Sequence, residues 1–205
     1  MRPALLVGVA MIGGAAWWWW QQSANEAESA DGGDMTADSL SSVSDEILSV
    51  VDDVFNAVIP VRAIMWSPDL IPAAYRAVIS QTEAANGIPD NMLARLLYQE
   101  SRYRPEIING TKKSPVGALG IAQFMPATAA EMGIDPLDPM QAIPAAGAYL
   151  ARLYRSTGSW VLALAAYNWG IGNVKRKGID AAPKETRNYY SQILADLGME
   201  GVTSA

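Results

Sequence analysis

Apolar residues recur at helical spacing along most of the chain after residue 47, and no stretch alternates with the period of a β-strand. Helix punctuation falls between these apolar segments. The pattern predicts helices from about Leu70 to Asn86, after Asp90, near Pro126, and after three further start signals at Asp138–Pro139, Ser159 and Pro183. We therefore expect an all-α domain over residues 67–205, with residues 103–120 as a Pro- and Gly-containing loop.

Individual residues predict where these helices begin and end. Gly87 should end the first helix and Asp90 should cap the next. Asp138, Pro139 and Gln141 have the pattern of a capped helix start. Pro144 follows so closely that it should kink this helix or shift its start.

The N-terminal region has a different character. Residues 3–20 carry no charge and end in four tryptophans, Trp17–Trp20, a composition typical of a membrane-spanning helix with an interfacial aromatic belt. We expect residues 1–22 to form an anchor with its N-terminus in the cytoplasm. A cleaved signal peptide is the alternative, with Gly14 and Ala16 small enough for the cleavage positions.

The net charge of −6 is concentrated before the predicted domain. Nine acidic residues and no basic one lie between Pro3 and Val61, whereas 14 basic and 12 acidic residues follow from Arg62 onward. Residues 23–46 therefore read as an acidic flexible linker, and residues 47–66 as an amphipathic helical segment. The domain is nearly neutral, and no basic stripe indicates nucleic-acid binding.

The absence of two residue types limits the chemistry. The chain contains no histidine and no cysteine, which excludes an imidazole base, a thiol nucleophile and a Cys/His zinc site. An enzyme of this composition would depend on carboxylates, tyrosines, hydroxyls, amides or lysines. We expect no metal and no organic cofactor.

Glu100 is the strongest candidate among the carboxylates. It lies three, four and seven residues after Leu97, Leu96 and Leu93, so a helix places all four side chains on one apolar face. Burial should raise the pKa of this carboxyl and suit it to act as a general acid. The alternatives are a buried ion pair with Arg102 or Arg104, or exposure at the surface.

Other polar residues have both a structural and a functional interpretation. Gln123 suits a local cap or a ligand contact. Tyr167 and Asn168, at the end of an apolar helix, could satisfy the last carbonyls or present a phenol and an amide to a cleft. Glu185 suits the positive end of a helix dipole. Tyr189 and Tyr190 are adjacent and must face different directions, so one of them could reach a buried carboxylate.

Four segments, in order, resemble lytic transglycosylases of the soluble, goose-lysozyme-like type. "YQESRYRPEI" resembles the Glu-Ser motif of that family, and "GALGIAQFMPATA" its Gly-Leu-Met-Gln segment. "LAAYNWGIGNV" is similar to its Ala-Tyr-Asn-x-Gly segment, and "ETRNYY" to its final tyrosine motif. The likeness covers residues 70–197.

The resemblance implies a lysozyme-like fold and cleavage of peptidoglycan between N-acetylmuramic acid and N-acetylglucosamine. It assigns Glu100 as the catalytic acid/base and Tyr189 as the tyrosine that orients it. It further implies substrate-binding or orienting roles for Ser101, Gln123, Tyr167 and Asn168. One departure from the family stands out: Ala122 occupies a position where a methionine is usual, which should remove a bulky wall of the cleft, whereas Ile121 for leucine is a mild change.

Most glycosidases use two carboxylates, but the four motifs supply only one strong candidate. A transglycosylase mechanism, in which the substrate's own 6-hydroxyl closes an anhydro ring, fits that shortage. A hydrolytic muramidase and an inactive wall-binding protein are the alternatives.

The expected location is the inner membrane with the domain in the periplasm; secretion, or presence in a phage particle, is the alternative.

Overall fold

The computed structural model describes residues 66–199. The predicted anchor at 1–22, the linker at 23–46 and nearly all of the segment at 47–66 lie outside these residues and stay predictions. Within residues 66–199, no helix combines the length and the apolar character needed to cross a membrane.

The described part of the chain folds mostly into α-helices. A 3₁₀ turn, Pro68–Leu70, precedes eight of them. They are α1 (Ala73–Asn86), α2 (Met92–Ser101), α3 (Pro105–Ile108), α4 (Pro126–Met132), α5 (Pro139–Thr157), α6 (Trp160–Trp169), α7 (Ile171–Lys177) and α8 (Lys184–Asp196). The β-type pairing in this region is one isolated bridge between Leu119 and Phe124.

The helical reading of the sequence is confirmed, with local corrections. The first helix begins at Ala73 rather than near Leu70, because Pro68–Leu70 forms a separate 3₁₀ turn. The predicted loop at 103–120 contains the short helix α3. Helix α5 starts at Pro139, and Asp138 accepts a hydrogen bond from the Met140 N–H, as the start signal predicts. It continues through Pro144 without a shift of its start.

Helix α6 forms the centre of the core. Its segment from Trp160 to Asn168 is buried at every position except Leu162, because this sequence is apolar on all sides of the helix. Helices α5, α7 and α8 pack around it, and α5 also packs on α1. Residues at the C-terminal end of α6 are therefore held rigidly from several directions.

The start of α2 is capped by a residue from another helix. We predicted Asp90 as the cap, but the N-cap position is Asn91, whose side chain makes no capping hydrogen bond. Instead, the Glu83 carboxylate of α1 accepts hydrogen bonds from the backbone N–H groups of Asn91, Leu93 and Ala94. Glu83 thereby fixes the beginning of the helix that carries Glu100.

Candidate active site

Glu100 lies on the buried face of α2, one residue before the helix ends. Leu93, Leu96 and Leu97 are fully buried, and Glu100 itself is 8 % exposed. Burial raises its pKa from 4.5 to about 8, and a hydrogen bond from Tyr189 partly opposes that rise. A carboxyl group with this pKa is mostly protonated at neutral pH and can donate a proton.

Tyr189 of α8 is the hydrogen-bond partner of Glu100. Its hydroxyl donates to Glu100 Oε1 over 2.6 Å, and both groups are buried. Burial also raises the pKa of Tyr189, so the phenol stays protonated and remains a donor. The sequence predicted that one of two adjacent tyrosines would reach the carboxyl, and the structure places Tyr189 there.

The alternative of a Glu100–arginine ion pair is wrong. Arg102 Nη1 donates to the Tyr98 hydroxyl over 2.8 Å, and Arg104 Nε donates to Glu106 over 2.6 Å. No salt bridge between residues 66 and 199 includes Glu100. Among residues 66–199, the carboxyl therefore has no ion-pair partner that would keep it ionised.

Ser101 is fully buried, and its hydroxyl binds the backbone of its own segment. Its hydroxyl donates to the Leu97 carbonyl over 3.0 Å and accepts from the Tyr103 N–H over 3.2 Å. The next residues, Arg102 and Tyr103, have φ values of 51° and 54°, which are uncommon for residues other than glycine. Ser101 thus stabilises the sharp turn that ends α2 directly after Glu100, which fits an orienting role better than contact with a sugar.

The segment from Gly117 to Phe124 forms a tight loop. Leu119 and Phe124 exchange two backbone hydrogen bonds of 2.9 and 3.0 Å. Gly120 has a φ of 73°, and a Cβ atom there would lie 1.7 Å from the Pro136 carbonyl oxygen, so only glycine fits. Gln123 also has a positive φ, and its side-chain N–H donates to the Gly120 carbonyl over 2.8 Å. That contact matches the local-cap interpretation of Gln123.

Tyr167 and Asn168 connect the end of α6 to two other elements. The Tyr167 hydroxyl donates to the Ala122 carbonyl over 3.2 Å, and Asn168 Oδ1 accepts from the Thr186 hydroxyl over 2.8 Å. They bind neighbouring segments rather than the last carbonyls of α6. Ala122 is fully buried, so its methyl group does not line the surface.

Glu185 lies in the first turn of α8, as its helix-start interpretation predicts. It is half-buried, burial raises its pKa, and its Oε1 atom is buried without a hydrogen-bond partner. Since Glu185 precedes Tyr189 by four residues, the two side chains share one face of α8. Glu185 is therefore a second carboxyl group on the face of α8 that carries Tyr189.

These contacts join all four sequence segments. Glu100 binds Tyr189, Thr186 of the same helix binds Asn168, and the adjacent Tyr167 binds the loop at Ala122. Sequence reasoning missed Glu83 and Thr186, because neither lies in a local pattern that indicates a partner so distant along the chain. No group of acidic residues with the arrangement of a metal site occurs within residues 66–199.

Comparison with known proteins agrees with this arrangement. The family model described as the transglycosylase SLT domain matches residues 77–190, a range that contains Glu100, the loop, the end of α6 and Tyr189. The chain belongs to the transglycosylase SLT domain family. The SLT domain thus accounts for most of the helices described above.

Individual relatives share the domain but are much longer proteins. The peptidoglycan transglycosylase gp16 of Escherichia phage T7 is 33 % identical over 141 residues, which cover 60 % of this chain and 10 % of the relative. The membrane-bound lytic murein transglycosylase F of Alcanivorax borkumensis is 36 % identical over 110 residues, covering 49 % of this chain and 22 % of the relative.

A solved structure supports the same fold. The lytic transglycosylase Slt of Pseudomonas aeruginosa, solved as an inactive mutant, aligns with a TM-score of 0.54 and 26 % identity. The alignment covers 76 % of this chain and 29 % of that one. The likeness between these SLT proteins therefore concerns a domain and not the whole of the larger enzymes.

Proposed function

We propose that this SLT-domain protein is a peptidoglycan lytic transglycosylase that cleaves the bond between N-acetylmuramic acid and N-acetylglucosamine and leaves a 1,6-anhydromuramoyl end. One observation carries the proposal. Glu100 is a buried carboxyl with a pKa of about 8, held by a 2.6 Å hydrogen bond from Tyr189, within the matched domain.

In the proposed reaction, protonated Glu100 donates its proton to the glycosidic oxygen as the bond to the anomeric carbon breaks. The acetamido carbonyl of the muramoyl residue stabilises the positive charge that develops at that carbon. The Glu100 carboxylate then takes the proton of the 6-hydroxyl, whose oxygen closes on the anomeric carbon. Glu100 ends protonated, and no water is consumed. A positioned acid contributes roughly 10²- to 10⁴-fold to such a rate.

The other site residues take supporting roles in this proposal. Tyr189 holds the carboxyl in one rotamer and tunes its pKa. Gln123, Tyr167 and Asn168 bind or orient the glycan strand, either directly or through the backbone groups that they fix. Ser101 holds the end of α2, and Ala122, whose carbonyl accepts from Tyr167, holds the loop against the end of α6.

A hydrolytic muramidase is the second candidate, and Glu185 is the observation in its favour. Glu185 has a raised pKa and an oxygen without a partner, and it lies on the Tyr189 face of α8. In a hydrolase it would serve as the second carboxylate, which activates water. An inactive, membrane-anchored wall-binding protein is a third possibility, but a protonated carboxyl beside Tyr189 has no evident use in it.

We further propose that residues 1–22 anchor the protein in the inner membrane, with residues 23–46 as a tether and residues 67–205 as a catalytic domain in the periplasm. The charge-free segment at 3–20 and the acidic residues after it support this arrangement. Local wall opening for remodelling, for secretion-system assembly or for phage entry would use such an enzyme; secretion or a place in a virion is the alternative.

Mass spectrometry of purified peptidoglycan digested by the full-length protein tests the function. We expect muropeptides lighter by one water than hydrolysis products, and no cleavage by Glu100→Gln. Glu185→Gln should retain production of anhydro sugars. Reducing ends that depend on Glu185 would favour the hydrolase, and cleavage by Glu100→Gln would refute the assignment of Glu100.

A further inference from the structure

Helix α8 is attached to its neighbours on both sides of Tyr189. Before it, the Thr186 hydroxyl donates to Asn168 Oδ1 of α6 over 2.8 Å. After it, Asp196 accepts from Arg95 Nε of α2 over 2.6 Å. Between these two attachments the Tyr189 hydroxyl donates to Glu100. The position of the phenol thus depends on how α8 is held against α2 and α6.

Thr186 uses its hydroxyl differently from two other helical threonines. Thr82 and Thr157 donate to carbonyls of their own helices, at Val78 and Leu153. The Thr186 hydroxyl instead donates to a side chain of another helix. Thr186 is 2 % exposed and lies in the first turn of α8. A buried hydrogen bond between two side chains fixes the relative position of both elements.

The spacing along α8 connects this bond to the candidate acid. Thr186 precedes Tyr189 by three residues, so both side chains emerge on the same face one turn apart. Asn168, the acceptor, follows Tyr167, which binds the loop at Ala122. A displacement of the first turn of α8 would therefore move the Tyr189 hydroxyl relative to Glu100.

We propose that Thr186 is a positioning residue for the reaction: its hydroxyl fixes the first turn of α8 against Asn168 and so keeps the Tyr189 hydroxyl on Glu100. The inference rests on the proposed function, since it concerns the rate of that reaction. Thr186 touches neither the carboxyl nor a reacting atom and acts only through Tyr189.

The pH profile distinguishes positioning from a general contribution to stability. Tyr189 of α8 and Tyr167 of α6 are the titratable groups that interact with Glu100 among residues 66–199, and Arg95 of α2 acts on Tyr189. Both tyrosines stay neutral because burial raises their pKa values, so the Tyr189 hydrogen bond is the main interaction that lowers the pKa of Glu100. Weakening it should move the alkaline limb of activity to higher pH.

The test compares Thr186→Val, which removes the hydroxyl at nearly constant shape, with Thr186→Ser, which retains it. We expect Thr186→Val to lower kcat about 3- to 10-fold, the equivalent of one hydrogen bond, and to shift the alkaline limb upward. Tyr189→Phe should shift the limb in the same direction, and adding Thr186→Val to it should cause no further shift. Thr186→Ser should restore the wild-type profile.

Thr82→Val is the matched control, because it removes the hydroxyl of another buried helical threonine, on α1. It should lower stability without moving the pH limb. A folded Thr186→Val protein with the profile of the wild type would refute the positioning role, and so would an equal shift in Thr82→Val. Thr186→Ala carries the same expectations where the valine variant does not fold. The proposed function has a separate test, because activity retained by Glu100→Gln would refute it whatever the Thr186 variants do.

Discussion

At the scale of single residues, the central feature is a carboxyl group that the fold keeps out of water. The free-energy cost of burying this carboxyl makes the stability of the folded protein depend on pH. The folded-state pKa of Glu100, about 8, lies above the value of 4.5 expected in the unfolded chain. As the pH rises, the unfolded chain therefore releases this proton first, and the folded state loses stability between about pH 4.5 and 8.

Glu100→Gln should remove this cost, because an amide stays neutral and its oxygen can still accept from Tyr189. We expect the variant to be more stable than the wild type by on the order of 3 kcal/mol at pH 7, with little difference at pH 4. Urea denaturation at both pH values measures this. A constant difference between the two proteins would mean that Glu100 titrates normally.

The sequence was sufficient to select this residue but not its surroundings. The spacing of Leu93, Leu96 and Leu97 predicts the burial of Glu100, because helical periodicity is a local property. The same pattern left an arginine partner open. Only the tertiary structure shows that Arg102 and Arg104 bind Tyr98 and Glu106 instead.

At the scale of helices, the position of Glu100 depends on the N-terminus of α2. Glu83 accepts three backbone N–H groups there. We expect Glu83→Ala to lower the free energy of unfolding by about 1–3 kcal/mol, because those donors would lose their acceptor in a buried location.

Glu131→Ala provides the control, since Glu131 is an exposed glutamate on α4. It should change stability by less than about 0.5 kcal/mol. Chemical denaturation compares the two variants. An effect of Glu83→Ala no larger than that of Glu131→Ala would contradict the capping role.

The helix boundaries show why some features of the helices could not be predicted from the sequence. Gly87 ends α1 as expected, because a glycine signal is local. The Asp90 cap was wrong, because Glu83 reaches α2 from another helix and competes with the residue next to the helix start. Pro144 does not shift the start of α5, which begins at Pro139, and the kink that the sequence predicts there stays a prediction.

At the scale of the whole molecule, the helical SLT domain could be predicted from four ordered motifs, whereas the hydrogen bonds that join them could not.

The proposed membrane anchor rests on the sequence alone. We expect the full-length protein to sediment with membranes and a variant lacking residues 1–22 to remain in solution with unchanged activity on dissolved peptidoglycan. Equal partition of both proteins would contradict the anchor.

The central claim is that Glu100 is protonated at neutral pH, and a direct titration of its carboxyl carbon by ¹³C NMR tests it. Glu100→Gln identifies the signal by its disappearance. The structure predicts a midpoint of about 8. A midpoint near 4.5, the ordinary value for a glutamate, would contradict the account of this residue as a proton donor.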